Sequence, residues 1–242
     1  MYPDINHDLT EDQQLLREKA HEFAAKVMRP AAIELDKMTP EQTIASGSPM
    51  WRVLQAAYQQ GWHLRNFPEA LGGSNLGPLE SHIVNEEFGW GGSGLAIAIS
   101  VCSFPFSFAA ISQNPDIIKE VVEPFLKDKE AKYVGCWAIT EPNHGSDTLM
   151  PGTKYFSDPK IQYDLYATAD GDEYVLNGQK SAWVSNGTIA THALAYLGVD
   201  RSKGMAGGGI ALVPLNLPGV TKGAPLNKIG QRALNQGEIF FD

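Results

Sequence analysis

Tyr133-Val134-Gly135-Cys136-Trp137-Ala138-Ile139-Thr140 is the stretch at which this chain changes its hydrophobic period. Before it, apolar residues recur every three or four positions. From it onward they come in short runs rich in β-branched and aromatic side chains, divided by Gly, Asn and Asp. DLYATADG from Asp164, EYVLNGQKSAWVSN from Glu173, ATHALAYLGV from Ala190, GGIALVPL from Gly208 and the terminal GEIFFD all have this character. Asp170-Gly171 lies between two of the runs and Asn177-Gly178 inside another, and both dipeptides are hairpin signals because they accept the positive φ of tight turns. Residues 133–242 are therefore expected to form a block of antiparallel strands, barrel- or sandwich-like, with 152–163 an insertion in a strand connection.

Upstream the pattern is helical. Thr10 and Gln13 have the spacing of a capping box, and Leu16, Ala20, Phe23 and Val27 follow at helical intervals until Pro30, where the run is expected to stop. Pro49 to Gly61 predicts a second helix, with Trp51, Leu54 and Tyr58 on one side. After a Pro/Gly-rich loop from Phe67 to Ser74, apolar helices are expected at about 78–89 and 93–112, and a last one at about 115–128. Helices followed by strands give an α+β fold: an all-helical domain over 1–132, then a β-domain over 133–242.

Composition narrows the function. With 43% hydrophobic and 19% charged residues in 242, the chain can bury a core and is not of the disordered class. A net charge of −9 argues against a nucleic-acid partner, since polyanion binding needs a basic surface. Cys102 and Cys136 are too few for a disulfide framework and lie in apolar surroundings, so both are read as small core residues. The six histidines are scattered without ligand spacing, and no metal site is expected. The polar start MYPDINHDLTEDQQ is no signal peptide. The apolar stretch from Gly94 to Ala110 is interrupted by Ser103, Pro105 and Ser107, so it is read as a buried helix and not a membrane span. A cytoplasmic location is the default expectation.

Chemistry concentrates in Ala138-Ile139-Thr140-Glu141-Pro142-Asn143-His144-Gly145-Ser146-Asp147. Pro142 fixes a turn and Gly145 permits a tight bend, so N–H groups and hydroxyls can be directed at one point, as a phosphate or a flavin edge requires. A plain surface turn between strands would use the same residues.

At this point the sequence resembles the acyl-CoA dehydrogenase family. Thr140, Glu141, Gly145, Ser146 and Asp147 match its T-E-x-x-x-G-S-D loop, and Trp183, Ser185 and Asn186 its Trp-x-Thr/Ser-Asn motif some forty residues later. Pro68, Glu69, Gly72 and Gly73 match its P-E-x-x-G-G loop. Glu86, Glu87 and Gly89 match an E-E-x-G step, and Lys228-Ile229-Gly230-Gln231-Arg232 a K-x-G-x-R turn. Five motifs in register span nearly the whole chain. His144 and Met150 stand where the family loop has small residues, and the interval from Thr140 to Trp183 is longer than usual.

The resemblance implies an FAD enzyme that converts an acyl-CoA to its 2,3-enoyl-CoA and passes electrons to an electron-transfer flavoprotein. By the same resemblance, Trp137, Ile139 and Thr140 would bond the pyrimidine side of the flavin. Ser146 would reach the FAD pyrophosphate and lie beside the CoA. Trp183 would cover the isoalloxazine, and the Ser185 hydroxyl would meet flavin N5. Apart from the family, Trp183 could be an ordinary core aromatic, Ser185 a strand-end hydroxyl and Arg232 a structural ion pair. The family's catalytic Glu lies on a C-terminal helical domain that has no counterpart in these residues, so no catalytic base is assigned; Glu86, Glu87 and Glu141 occupy motif positions with other duties. A second chain supplying that domain or a longer parent protein would complete the enzyme, a homo-oligomer is a further expected assembly, and the apolar Ile239-Phe240-Phe241 end is read as a surface that something covers. A flavin-dependent oxidase or monooxygenase, or a non-catalytic scaffold subunit of the same fold, are the alternatives.

Overall fold

The computed structural model describes residues 8–242; the first seven, His7 and most of the polar start among them, lie outside the described residues. α1 (Glu11–Phe23) opens with the expected capping box, Gln13 N–H donating to Thr10 Oγ1 while the Gln13 side chain accepts from Thr10 N–H. Pro30 does not end the run. A wide turn at Ala24–Met28 carries the chain into α2 (Arg29–Leu35), with Arg29 N–H bonding back to Ala24 O across five residues. That wider register absorbs a residue with no N–H and keeps its ring off the preceding carbonyls.

α3 (Pro40–Ile44) was not expected, whereas α4 (Pro49–Gln59) matches the second predicted helix and buries Val53, Leu54 and Tyr58. α5 (Pro78–Val101) breaks at Gly92, between the two predicted apolar helices, and α6 (Phe104–Ile111) continues beyond a short turn. By length and composition 78–111 could cross a membrane, its most apolar 18-residue window reaching a mean hydropathy of 2.0, yet Ile83, Val84, Phe88, Leu95 and Ile99 are buried against the other helices. The last helical stretch runs as α7 (Pro115–Ile117), a wide turn at Ile118–Val122 and α8 (Glu123–Lys127).

Seven strands follow: β1 (Gly135–Ala138), β2 (Tyr166–Asp170), β3 (Glu173–Ser185), β4 (His192–Gly198), β5 (Gly208–Pro214), β6 (Val220–Lys222) and β7 (Gln236–Phe241). They form one curled sheet in the order β1-β4-β2-β3-β7-β6, with β5 on the other side of β4. The sheet is mixed and not wholly antiparallel as expected: β1 runs parallel to β4, Gly135 opposite His192. Turn signals reveal only hairpin neighbours, and β1 comes directly from the helices with its partner more than fifty residues away.

Asp170-Gly171 does begin a hairpin, Asp170 facing Glu173. Asn177-Gly178 does not. There β3 passes from one partner to another, since Asn177 faces Tyr166 of β2 and Gly178 faces Phe241 of β7. Gly178 has φ 128°, and a Cβ on it would sit 2.5 Å from Asp164 O, so only glycine lets the strand cross here. The Ile239–Phe241 end is also not an uncovered edge. β7 lies between β3 and β6, with Ile239 and Phe241 buried in the β core.

Two cores result. Phe23, Leu54, Tyr58, Phe88, Phe106 and Phe125 fill the helical one, and Cys136, Leu165, Val184, Leu197, Ile239 and Phe241 the β one. Each such side chain contributes about 1.5–3 kcal/mol on burial. The seam between them combines ring contacts, such as Phe106 with Tyr133 and His192, with buried hydrogen bonds. Tyr58 Oη donates to Tyr133 O (2.6 Å), Gly135 N–H to Cys102 O (2.9 Å), and the buried Asn186 amide to Ala98 O (2.9 Å) and Gly135 O (3.3 Å).

Candidate active site

Alternation along β1 buries Cys136 and Ala138 and turns Trp137 out of the β core, where its ring meets Phe104 of α6 edge-on at 5.7 Å and Tyr196 of β4 at 6.4 Å. Ile139 and Thr140 extend the strand and are half-buried. Their carbonyls are taken by β3: Lys180 Nζ donates to Ile139 O (3.2 Å) and Ser181 N–H to Thr140 O (2.9 Å). The Thr140 hydroxyl has no hydrogen bond among the described residues. The end of β1 thus lies against the part of β3 that carries the tryptophan motif.

Between Lys180 and Val184 the β3–β7 register slips, and Ala182 takes φ 55°. This bulge re-aims the next side chain. Trp183 is 57% exposed and turned away from the β core, while Val184 is buried behind it. Ser185 turns to the same side as Trp183, two residues on. Gln236 Nε2 donates to both Trp183 O and Ser185 Oγ, at 3.1 Å each. An acceptor role for the Ser185 oxygen leaves its hydrogen free to be given outward.

Ser146 is exposed at the head of a short helical turn, Ser146–Leu149. Asp147 closes this loop: it accepts from Gly145 N–H (2.6 Å) and Tyr155 Oη (2.9 Å) and pairs with His144 Nδ1 (2.8 Å). Burial pulls the Asp147 carboxyl upward, but these partners together hold it below its ordinary value. His144 therefore braces the turn, and Tyr155 shows that the 152–163 segment packs back onto it.

Other motif residues prove structural. Glu141 and Lys180, both side chains wholly buried, form an ion pair of 2.6 Å, and Glu141 also accepts from Asp164 N–H (2.6 Å) and Leu165 N–H (3.1 Å). Burial lowers the Lys180 ammonium from its ordinary value, against the opposing pull of Glu141. Glu141 therefore anchors the chain on either side of the loop and cannot serve as a base. Oxygen and nitrogen atoms of Glu141, His144 and Asp164 come within 4.8 Å of one another, a proximity hidden in the sequence. The Glu141 charge is already matched by Lys180, however, and Asn143 holds Asp164. Glu87 pairs with His21 at 2.7 Å. Arg232 donates to the Asp36, Met38 and Lys228 carbonyls, tying the last motif turn to the end of α2. Cys102 and Cys136 are wholly buried, which pushes both thiols up to about 12.

A helical layer followed by a curled mixed sheet is the fold class of the N-terminal and middle domains of the acyl-CoA dehydrogenases. The acyl-CoA dehydrogenase N-terminal domain model matches residues 10–114 and the middle domain model residues 136–242, so the chain belongs to the acyl-CoA dehydrogenase family. It is 29% identical over 236 residues to the mitochondrial short-chain specific acyl-CoA dehydrogenase of Bos taurus, covering 97% of this chain and 52% of that protein. Among solved structures it resembles one described as the electron transferring flavoprotein of Acidaminococcus fermentans, with TM-score 0.77, 26% identity and coverage of 98% and 57%. It shares its fold with an acyl-CoA dehydrogenase from Bacillus anthracis complexed with FAD, at TM-score 0.75, 20% identity and coverage of 98% and 36%. The chain spans about half the length of the curated relatives it matches.

Proposed function

We propose that this chain forms the flavin-facing half of an acyl-CoA dehydrogenase that makes 2,3-enoyl-CoA and hands electrons to an electron-transfer flavoprotein. The observation that carries the reading is the β3 bulge, which turns Trp183 outward on the same side as a serine with a free hydroxyl hydrogen. A large exposed indole beside hydroxyl donors fits the flat, apolar ring of a flavin with its polar edge. FAD, when bound, supplies the acceptor for the hydride that leaves the β-carbon of the thioester.

This chain's own residues would prepare that transfer. Trp183 excludes water from one side of the ring. Ser185 presents its O–H, and Thr140 offers a second free hydroxyl at the end of β1, where donors favour the negative charge that develops on reduction. Trp137, held by Phe104 and Tyr196, backs the same wall, and Ile139 extends it. Ser146, on its braced turn, is placed for the pyrophosphate and the CoA. The α-proton would be taken by a carboxylate outside these residues, on a further segment or a second chain, since Glu141 is sealed against Lys180 and Glu87 pairs with His21.

Titrating the protein with FAD tests the reading. Flavin binding is expected to quench tryptophan emission, and Trp183→Ala and Ser185→Ala are expected each to weaken FAD binding about tenfold or more. Unchanged affinity in both variants would remove the basis for a flavin at this wall.

A further inference from the structure

Lys228 stands at the head of the last motif turn and reaches the flavin wall through β7. Its Nζ donates to Leu234 O (2.7 Å) and to Gln236 Oε1 (2.8 Å). Gln236 faces Ser185 directly in the β3–β7 pairing, on the side of β7 opposite the buried Gly237, Ile239 and Phe241. Its Nε2 gives one hydrogen to Trp183 O and the other to Ser185 Oγ. Arg232 steadies the turn by donating to Lys228 O (2.9 Å) while it reaches the carbonyls at the end of α2. Lys228, Gln236 and Ser185 are all half-buried.

This chain of bonds can run in one direction only. Burial lowers the Lys228 pKa to about 8, so at pH 7 it is still mostly an ammonium, with three donors and no acceptor. The Gln236 atom beside it must therefore be the amide oxygen. At the other end Trp183 O is a carbonyl that only accepts, so the atom beside it must be the amide nitrogen. The two ends allow a single orientation of the amide, and with that nitrogen against Ser185 the hydroxyl oxygen has to accept. The Ser185 hydrogen cannot turn inward, and no group among the described residues accepts it. Accepting a hydrogen bond also makes a hydroxyl a stronger donor, and here the chain begins at a cation.

We propose that Lys228 and Gln236 are positioning residues that fix Ser185 as a one-way hydrogen donor to the flavin. The inference rests on the flavin reading above and deepens it, since it gives the direction of the Ser185 hydrogen a cause two residues away from the ring. A merely structural pair, fastening the turn to β7 and β3, would act alike with and without the Ser185 hydroxyl.

The test is titration of the full-length protein with FAD at pH 7. Gln236→Glu is expected to weaken FAD binding about tenfold, as Ser185→Ala does, because a carboxylate only accepts and draws the hydroxyl hydrogen inward. Lys228→Met is expected to cost about threefold, and Lys228→Arg, which still donates to the amide oxygen, less than about twofold. Each substitution is repeated in the Ser185→Ala background. Whatever Gln236→Glu does through its charge or through Trp183 O remains there, and what it does through the hydroxyl is gone. In that background Lys228→Met is expected to cost nothing further and Gln236→Glu about threefold or less. Equal losses in both backgrounds, or no loss from either substitution where Ser185 is present, would overturn the proposal while leaving the flavin reading intact. If FAD does not bind the unaltered protein, or Trp183→Ala and Ser185→Ala bind it as tightly, the flavin reading itself fails and this proposal with it.

Discussion

At the scale of single residues, buried charge and buried imidazole decide how this protein responds to substitution and to acid. Lys180 and Glu141 neutralise each other where no water reaches. Replacing only one leaves an uncompensated charge, so Lys180→Met is expected to destabilise the fold by about 3–5 kcal/mol, as measured by urea unfolding at pH 7. His63 is buried, stacked on Tyr58 at 3.8 Å with neither ring nitrogen hydrogen-bonded among the described residues, and burial first and Lys129 second lower its pKa to about 3. Its folded value lies below the ordinary 6.5, so between those two values the unfolded chain binds the extra proton. Stability therefore falls as pH drops through 6.5, by about 2 kcal/mol at pH 5, and levels off only near 3. Comparing pH 7 with pH 5 in unfolding experiments on the unaltered protein and His63→Phe checks this: the variant should lose that part of the acid sensitivity. The thiols of Cys102 and Cys136, both held near 12, are expected to resist alkylation at pH 8 until the chain is unfolded.

At the scale of elements, the shape of β3 matters more than its composition. One strand serves two partners, crossing from β2 to β7 at Gly178 and bulging at Ala182 to turn Trp183 outward. Gly178→Ala puts a methyl group onto Asp164 O in a backbone conformation that alanine disfavours. The expected cost is roughly 2–4 kcal/mol, read as a lower urea midpoint, and the expected structural consequence is a loosened pairing of β3 with β2. The helices show the complementary case. Pro30 should have ended α1, yet a single wide turn before it lets the helix continue, which brings Asp36 and Met38 within reach of Arg232.

At the scale of the whole molecule, the helical and β cores meet at a seam that joins buried hydrogen bonds to apolar contacts such as Phe106 on Tyr133 and Phe104 on Trp137. Asn186 is its centre: its amide reaches α5 and β1 while its side-chain oxygen accepts from Asn235 at 3.3 Å. Asn186→Ala removes the side-chain bonds to Ala98 O and Gly135 O and an acceptor of the Asn235 amide, although Ala98 O keeps the Cys102 N–H, at an expected cost of about 2 kcal/mol. If the seam couples the two cores, far-ultraviolet dichroism and aromatic fluorescence report one coincident unfolding transition in the unaltered protein and separated transitions in the variant. Coincidence in both would show that the cores are coupled by other contacts.

The sequence by itself determined the order of helices and strands, the capping box at Thr10, the α5 break near Gly92, the hairpin at Asp170-Gly171 and the family. Each of these is written in local signals: hydrophobic period, caps, turn dipeptides and short motifs. It also picked out Thr140, Trp183 and Ser185 without saying which way they point. Only the tertiary structure decided that β1 runs parallel to β4, that Asn177-Gly178 is a crossing and that Ile239 and Phe241 are covered by neighbouring strands. It also placed Lys180 and Arg65 in the interior, one with a counter-charge and, among the described residues, one without. Those outcomes depend on partners tens of residues away, and a charged side chain carries no local mark of whether water or a distant strand will surround it.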